Sequence, residues 1–325
     1  MHGNRTMAPE WHDIDAVMLA WPHSQTDWAP WLEEARATYL NVIAAVNRND
    51  AGVILLCAPS DVDDLKSRLP ESARVLIVAA SFNDTWMRDY GFITCKDSEG
   101  NGSPVEFRFN GWGNKFNATE DNLANQRYLA SMCKSVLRSS PIVAEGGALE
   151  IDENGHLLST AQCLLNPERN GDMSLSAYED AFKDMLGCSK VTILQHGHLE
   201  GDDTDGHIDT LVRFTPNKGL VIQACNNRPN DSHFEGLKAL CDECSLELPE
   251  HEQFHLPLPH IENDEGDRLP ASYANYLICN KAILLPVYGE EEDAEAIETV
   301  QRAHPNHIVE PIDCSVLVRQ YGSLH

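Results

Sequence analysis

Short apolar runs occur in pairs along the chain, and each pair is separated by residues that favour tight turns. One pair turns at Asn154-Gly155, the next near Pro216–Gly219 and a third at Asn280-Lys281. The turn positions 154, 217 and 280 are 63 residues apart in each step. A further pair, which turns around Ser98–Ser103, lies near one more period back. Apolar runs joined by such turns are typical of β-hairpins, so the pattern predicts a hairpin that recurs about every 60 residues.

Between these hairpins the apolar positions follow the 3.6-residue period of an amphipathic helix. Four segments are predicted as helices: Trp31–Asn47, Asn122–Leu137, Leu175–Leu186 and Glu291–Ala303. Each period is therefore predicted as strand, strand, helix, strand. About five such modules fit into 325 residues, and a radial arrangement removes most open sheet edges. We expect one propeller-like α/β domain over residues 1–325, since no linker or low-complexity tract interrupts the pattern.

The charge of the chain restricts its partners. There are 51 acidic and 24 basic residues, which give a formal net charge of −27, and no run of Lys or Arg occurs. This composition argues against nucleic acid and anionic membranes as partners and favours a cationic ligand, although an acidic excess also simply keeps a protein soluble. No stretch approaches the ~20 apolar residues of a membrane helix, and the N-terminus lacks the apolar core of a signal peptide. We expect a cytoplasmic protein.

The ten cysteines lie mostly in apolar runs, where a reduced thiol behaves as a small hydrophobic group. Disulfides are therefore not expected. Cys241-x-x-Cys244 followed by His251-x-x-x-His255 resembles a zinc-ligand spacing, but the two pairs are separated by too short a loop for a zinc finger. A helix end followed by an edge strand is the preferred interpretation, and no metal site is predicted.

The densest group of chemically active side chains lies between His196 and Asp209. This segment contains three histidines and five acidic residues and ends in His207-x-Asp209. If a strand begins at Gly206, residues 207 and 209 point to the same side, and Ile208 points away into apolar packing. We therefore expect an imidazole and a carboxylate to face one ligand.

Two further carboxylates lie at predicted strand ends. Asp89 follows Trp86 by three residues and precedes an apolar strand, whereas Glu145 follows one and precedes two glycines. Taken alone, Asp89 is more often part of a structural ion pair and Glu145 a solvated acid in a turn. Together with His207 and Asp209 they form a set that suits a planar cation, because two carboxylates can each grip the edges of a guanidinium. No nucleophile elbow, phosphate loop or dinucleotide fingerprint is present.

Eight motifs in order make the chain resemble the agmatine deiminase and bacterial-type peptidylarginine deiminase family of guanidino-modifying enzymes nearly from end to end. The motifs are Met7-Ala-Pro-Glu-Trp-His-Asp-Ile-Asp-Ala-Val-Met-Leu-Ala-Trp-Pro-His23, Trp86-Met-Arg-Asp89, Phe109-Asn-Gly-Trp-Gly113, Glu145-Gly-Gly147, Cys163-Leu-Leu-Asn-Pro-Glu-Arg-Asn170, Asp203-Thr-Asp-Gly-His-Ile-Asp209, Leu269-Pro-Ala-Ser-Tyr-Ala-Asn275 and Leu285-Pro-Val-Tyr-Gly289.

The resemblance implies a five-bladed α/β propeller, the pentein fold, and a role for each matched site residue. Asp89 and Asp209 would clamp the guanidinium, His207 would act as acid and base, and Glu145 would orient that histidine. The substrate-binding residues implied are Trp86, which would wall the pocket, together with Trp112 and Asp203. No metal or organic cofactor is implied.

The resemblance also implies a nucleophilic cysteine directly after a glycine-rich stretch that ends in histidine. This sequence shows Gly322-Ser-Leu-His325 at that point, so the thiol is expected on the residue after His325. None of the ten cysteines occupies the matching position, and Cys314 is the nearest in sequence.

The activity implied is deimination of agmatine to N-carbamoylputrescine and ammonia, a step towards putrescine in polyamine biosynthesis. Agmatine is preferred because Glu200, Asp202, Asp203 and Asp205 can hold its second cation, and Asp203 is the first choice. Deimination of peptidylarginine or another guanidine, a non-catalytic guanidine-binding protein, and amidinotransfer remain alternatives. So does a metal-dependent hydrolase that releases urea, with ligands among His196, His198, Asp202, Asp205, His207 and Asp209. A homo-oligomer is left open.

Overall fold

The computed structural model describes residues 5–325, which form five small β-sheets with helices between them. The strands are β1 (Thr6–Met7), β2 (Ala16–Ala20), β3 (Gly52–Cys57), β4 (Val75–Ala79), β5 (Ile93–Lys96), β6 (Gly102–Arg108), β7 (Arg138–Val143), β8 (Glu150–Ile151), β9 (His156–Thr160), β10 (Lys190–Leu194), β11 (Val212–Thr215), β12 (Gly219–Gln223), β13 (Glu252–Leu256), β14 (Leu277–Cys279), β15 (Ala282–Val287) and β16 (Ile308–Asp313).

Four of the sheets repeat the predicted unit. In each, two strands form an antiparallel hairpin, and the chain then crosses over to a third strand parallel to the second. These sheets are β5-β6-β7, β8-β9-β10, β11-β12-β13 and β14-β15-β16. All four predicted hairpins are present, which confirms that the 63-residue spacing marks a structural repeat.

The sheet of β2, β3 and β4 departs from this pattern. Both of its strand pairs are parallel, and β2 pairs with β3 alone. The short strand β1 pairs instead with β5 and so extends a neighbouring sheet. The N-terminal segment therefore connects the β5-β6-β7 sheet with the β2-β3-β4 sheet.

The helices cover the sheets and confirm three of the four helix predictions. They are α1 (Leu32–Arg48), α2 (Val62–Arg68), α3 (Met87–Tyr90), α4 (Gly111–Asn114), α5 (Ala161–Leu164), α6 (Pro167–Asn170), α7 (Leu175–Leu186), α8 (Phe234–Glu247) and α9 (Asp293–Ala303). The prediction of a helix over Asn122–Leu137 is wrong. That stretch forms short 3-10 and π turns, in which the buried Asn125 side chain binds the backbone of Tyr90 and Phe92.

The apolar core lies between the helices and the sheets. In α7 the buried positions Tyr178, Phe182 and Leu186 recur at the spacing of one helix face and pack towards β7, β9 and β10. Ser174 caps the first turn of this helix, and Gly187, at φ +66°, ends it in the left-handed conformation. Within the described part of the chain, each helix is too short or too polar to cross a lipid bilayer.

Candidate active site

A cavity at the ends of several sheets collects most of the predicted site residues. It is lined by Asp27, Asp84, Trp86, Asp89, Trp112, Phe116, Asp203, Thr204, His207, Asp209, Thr210, Asn275, Gln320, Tyr321, Gly322 and His325. These residues come from loops far apart in sequence, which the propeller arrangement brings to one place.

The His207-x-Asp209 pair faces this cavity, but the local structure that produces the arrangement differs from the prediction. Residues Ile208–Thr210 form a 3-10 turn, and the following strand begins only at Val212. Ile208 is fully buried in an apolar cluster, as predicted. The expected strand at Gly206 is therefore wrong. Instead of a strand, a short helical turn places the side chains of His207 and Asp209 on the same side.

Asp209 lines the cavity, and its carboxylate is held through one of its two oxygens. Its Oδ2 accepts hydrogen bonds from Nδ1 of His325 at 2.9 Å and from Nδ2 of Asn275 at 3.2 Å. Its Oδ1 is buried and has no hydrogen-bond partner among residues 5–325. Burial by itself raises the pKa of Asp209, but the hydrogen bond and charge of His325 outweigh it and lower the pKa. The carboxylate is therefore ionised and able to accept a donor from a ligand.

Asp89 lies in α3, the short helix that follows Trp86, and two donors orient its carboxylate. Its Oδ1 accepts a hydrogen bond from the backbone of Gly147 and its Oδ2 from the indole of Trp112, each at 2.9 Å. A Cβ atom on residue 147 would lie 2.6 Å from Nδ1 of His207 and 2.7 Å from Oδ1 of Asp89. Glycine at this position is what allows the backbone to approach both groups.

Glu145 lies behind His207 and does not line the cavity. Its Oε2 is 3.8 Å from Nε2 of His207, and both of its oxygens accept hydrogen bonds from Nε of Arg169, at 3.0 and 3.1 Å. Burial alone raises the pKa of Glu145, but the proximity of His207 and the charge of Arg169 lower it below its usual value. Glu145 is therefore a buried anion that faces the imidazole.

His207 lies between two carboxylates. Its Nδ1 is 3.6 Å from Oδ1 of Asp89 on the cavity side, and its Nε2 faces Glu145. Burial by itself lowers the pKa of His207, but the charge of Asp89 and the proximity of Cys163 and Glu145 more than offset this and raise it well above 6.5. The ring is therefore protonated at neutral pH and can donate a proton.

Two tryptophans border the cavity in different ways. Trp86 packs against Trp28 with ring centroids 6.0 Å apart, and a Cβ atom on residue 322 would lie 2.5 Å from its ring. Gly322 therefore allows the C-terminal segment to lie flat against Trp86. Trp112 is mostly buried, and its left-handed backbone, with φ 54°, directs the indole N–H towards Asp89.

Acidic side chains predominate in the cavity wall, where the protonated His207 is the opposing charge. Five aspartates line it, at positions 27, 84, 89, 203 and 209, and within the described chain no Lys or Arg does. Asp203 is half-buried in the acidic loop, and burial, with Asp202 beside it, raises its pKa to about 7. Such a wall favours a ligand with more than one positive charge.

The structure separates the ligands of the rival metal site. His196 pairs with Glu243 on the surface and His198 contacts Gln162, while Asp205 is bound to Arg169 and Lys115. The zinc-like residues Cys241 and Cys244 lie on α8. In the described chain, three potential metal ligands meet only at Glu145, Cys163 and His207, where Arg169 already binds both oxygens of Glu145.

Of the ten cysteines, Cys163 is the one that lies next to His207. Its Sγ is 3.9 Å from Oε2 of Glu145 and lies within 4.8 Å of the ligand atom of His207. Cys163 is buried behind the cavity, and burial raises its pKa. Cys314, the nearest to the predicted nucleophile in sequence, is buried in the apolar core and does not line the cavity.

Sequence reasoning assigned no role to several residues that complete the site. Arg169 and Asn275 are members of the quoted motifs, and His325 ends the last segment of the chain. Their partners, Glu145 for Arg169 and Asp209 for the other two, are 24, 66 and 116 residues away in sequence. A family motif can draw attention to these residues, but no local sequence pattern indicates which residues they contact.

Comparison with known proteins finds similarity along almost the whole chain. A model of the Porphyromonas-type peptidyl-arginine deiminase family matches residues 6–325. A curated relative from Vibrio parahaemolyticus, named "Putative agmatine deiminase", is 31% identical over 97% of this chain and 93% of the relative.

Two similar solved structures each superimpose with a TM-score of 0.91. One, titled "Putative Arginine Deiminase from Porphyromonas gingivalis", is 39% identical and covers 99% of this chain and 96% of its own. The other is a cysteine-to-serine variant of C. jejuni agmatine deiminase with substrate bound, which is 32% identical and covers 99% of this chain and 94% of its own. With the five sheets, these similarities confirm the predicted five-bladed α/β propeller.

Proposed function

Since the chain belongs to the Porphyromonas-type peptidyl-arginine deiminase family, we propose that it hydrolyses agmatine to N-carbamoylputrescine and ammonia. Its family and its agmatine deiminase relatives make it an enzyme that hydrolyses a guanidino group. The choice of agmatine rests on one observation above all: the described cavity wall has five aspartates and no Lys or Arg. Agmatine carries two cations and no carboxylate, whereas arginine carries a carboxylate that this wall would repel.

In this proposal Asp89 and Asp209 clamp the guanidinium. Both carboxylates line the cavity, and the buried Oδ1 of Asp209 has no partner in residues 5–325, so it can accept an N–H from the ligand. Trp112 and Gly147 hold Asp89, while His325 and Asn275 hold Asp209. Because these donors fix both carboxylates before binding, little conformational entropy is lost when the cation enters.

His207 is assigned the proton transfers. A thiolate attacks the central guanidinium carbon and forms a C–S bond, and protonated His207 gives its proton to the nitrogen that departs as ammonia when the C–N bond breaks. The neutral imidazole then takes a proton from water, whose oxygen adds to the same carbon. The C–S bond breaks, the hydroxyl proton passes to solvent as the carbonyl forms, the thiolate is regenerated and the ureido product leaves. Glu145, which does not line the cavity, orients His207.

We place the nucleophilic thiol on a cysteine directly after His325. His325 lines the cavity and donates to Asp209, so a cysteine attached after His325 would lie beside a guanidinium held by the clamp. The test compares the 325-residue protein with one extended by a cysteine and with one extended by a serine. Calorimetry should detect agmatine binding to all three, because the clamp is common to them, and ammonia release should occur only with cysteine. Robust activity of the 325-residue protein would refute this placement and direct attention to Cys163.

The substrate is tested by separating the two cations of agmatine. Asp203→Asn should raise KM for agmatine by about 10-fold, the value of one lost charge contact, and leave KM for butylguanidine, which lacks the amine, unchanged. Glu200→Gln is the matched control, since Glu200 is in the same loop but outside this cavity. Equal effects of Asp203→Asn on both ligands would contradict the assignment of Asp203. A higher kcat/KM for arginine or a peptidylarginine than for agmatine would contradict the substrate.

A further inference from the structure

We propose that Arg169 is a positioning residue that holds Glu145 and the Asp202–His207 loop in place behind the cavity. This inference rests on the proposed function of the site but concerns a residue that does not touch the ligand. Arg169 lies on α6. Its side chain is 1% exposed and does not line the cavity. Any effect of Arg169 on the reaction must therefore act through its partners.

The guanidinium of Arg169 connects Glu145 with the loop that precedes His207. Its Nε donates to both oxygens of Glu145, its Nη1 donates to Oδ2 of Asp205 at 2.7 Å, and its Nη2 donates to the carbonyl of Thr204 at 2.9 Å. Thr204 in turn accepts a hydrogen bond from the backbone N–H of His207 through its Oγ1 at 3.1 Å. One buried fork thus sets both the anion that faces the imidazole and the backbone that carries it.

Asp205 shows that the loop needs this support. Its backbone is left-handed, with φ 67°, a conformation that residues with a side chain seldom adopt. Three donors converge on its carboxylate: Arg169, Nδ2 of Asn166 at 2.8 Å and Nζ of Lys115 at 2.8 Å. Burial alone raises the pKa of Asp205, but the bonds from Arg169 and Lys115 lower it, so the carboxylate stays ionised and anchors the loop.

Lys115 extends the same network to Asp203, which lines the cavity. It follows Trp112 and Gly113 in sequence, and its Nζ donates to the carbonyl of Asp203 as well as to Asp205. Trp112 and Asp203 both line the cavity, whereas Lys115 does not. Arg169 and Lys115 therefore fix the acidic loop from its inner and outer sides.

The positive charge of Arg169 also bears on proton transfer. It attracts the charge of Glu145 and repels that of protonated His207. The other ionisable groups around Glu145 are Cys163 and Tyr178, and Asp89 lies on the far side of the imidazole. If the guanidinium is replaced by a neutral group, Glu145 loses an attraction and His207 loses a repulsion. Both pKa values should then rise, and the pH–rate profile should move to higher pH.

The experiment compares Arg169→Gln with Arg169→Lys, which retains the charge but not the fork. Arg169→Gln should lower kcat by about 10-fold or more and move both limbs of the pH–rate profile up by about one pH unit. Arg169→Lys should lower kcat but leave the profile near its original pH. The control is Arg36→Gln, because Arg36 is also buried and bridges Asp61 and Asp64, but these three residues do not line the cavity. It should lower stability without moving the profile.

A second measurement separates this inference from the proposed reaction. The titration of the His207 ring, followed by NMR in the unliganded protein, should shift to higher pH in Arg169→Gln and not in Arg169→Lys, whether or not agmatine is the substrate. If Arg169→Gln does not fold, Arg169→Lys still decides, because an unchanged kcat in this variant, which lacks the fork, would overturn the proposal. So would a wild-type profile in Arg169→Gln, or an equal shift in Arg36→Gln.

Discussion

Two buried arginines, Arg169 and Arg213, lie behind the two members of the His207-x-Asp209 pair. Arg169 contacts Glu145, which faces His207. Arg213 contacts Glu10, which pairs with His325, and His325 donates to Asp209. Arg169 is thus linked to His207 through one carboxylate, that of Glu145. Arg213 is linked to Asp209 through the carboxylate of Glu10 and the imidazole of His325.

The remaining partners of the two arginines differ. Arg213 is fully buried, donates to Glu150 at 3.0 Å and to the carbonyls of Ala274 and Tyr276, and lies over the Tyr276 ring. Those partners belong to different sheets and to the connections between them. The other contacts of Arg169 lie within the loop that carries His207. The same functional group therefore serves mainly the fold at one position and the site at the other, according to what its partners do.

The largest effect is expected from Arg213→Met. This change leaves Glu10 and Glu150 as buried carboxylates without their cation, which typically costs about 3–5 kcal/mol. Urea unfolding should report the loss as a lower free energy of unfolding. The control is Arg48→Met, whose exposed pair with Glu310 is worth less than about 1 kcal/mol. If the two variants have the same midpoint, Arg213 does not hold the fold as the comparison states.

The next effect tests the site in front of the arginines. His207→Ala and Asp209→Asn should each lower turnover of agmatine by at least ~10²-fold, because proton transfer or the guanidinium clamp is lost. Their circular dichroism spectra should remain those of the parent, in contrast to Arg213→Met. The parent protein for these assays is the one that carries a cysteine after His325. Undiminished turnover in either variant would remove the assignment of the pair.

A smaller effect concerns carboxylates that neither arginine reaches. Burial raises the pKa of Asp203 and of Asp84 to about 7, whereas the pKa of Glu145 beside Arg169 is lowered. A cation prefers the ionised carboxylate, so agmatine affinity should rise as the pH increases through about 7 and fall below it, by up to about 10-fold per pH unit for each group. Calorimetry in two buffers should detect release of protons on binding at pH 6. Asp203→Asn should reduce that release, and an undiminished release would contradict the role of Asp203.

The smallest effect is expected at Lys115, on the outer side of the loop that Arg169 holds from within. Its side chain is 34% exposed, and exposed ion pairs are worth about 0–1 kcal/mol. Lys115→Met should therefore raise KM by no more than about five-fold, with little change in kcat. Lys183→Met, on the surface of α7, is the control. A loss of kcat equal to that of Arg169→Gln would mean that the two sides of the loop are not distinct.

The sequence by itself determined the repeating architecture and supplied the candidates for the site. The turn at Asn154-Gly155 and its counterparts one period apart predicted the hairpins, because short turns and the apolar runs beside them are local properties of the chain. The apolar face of Leu175–Leu186 predicted α7 with its observed ends. Chemistry and family motifs together pointed to His207, Asp209, Asp89 and Glu145.

Only the tertiary structure decided which partner each of these groups contacts. The 3-10 turn at Ile208–Thr210 replaced the expected strand, and the stretch Asn122–Leu137 broke into turns because Asn125 and Asp121 bind backbone groups near Tyr90 and Asn83. Arg213 meets Glu10 across 203 residues of sequence, and His325 meets Asp209 across 116. Periodicity and propensity report the surroundings of a residue within a few positions, whereas a buried charge selects its partner from whatever distant groups the propeller brings to the same place.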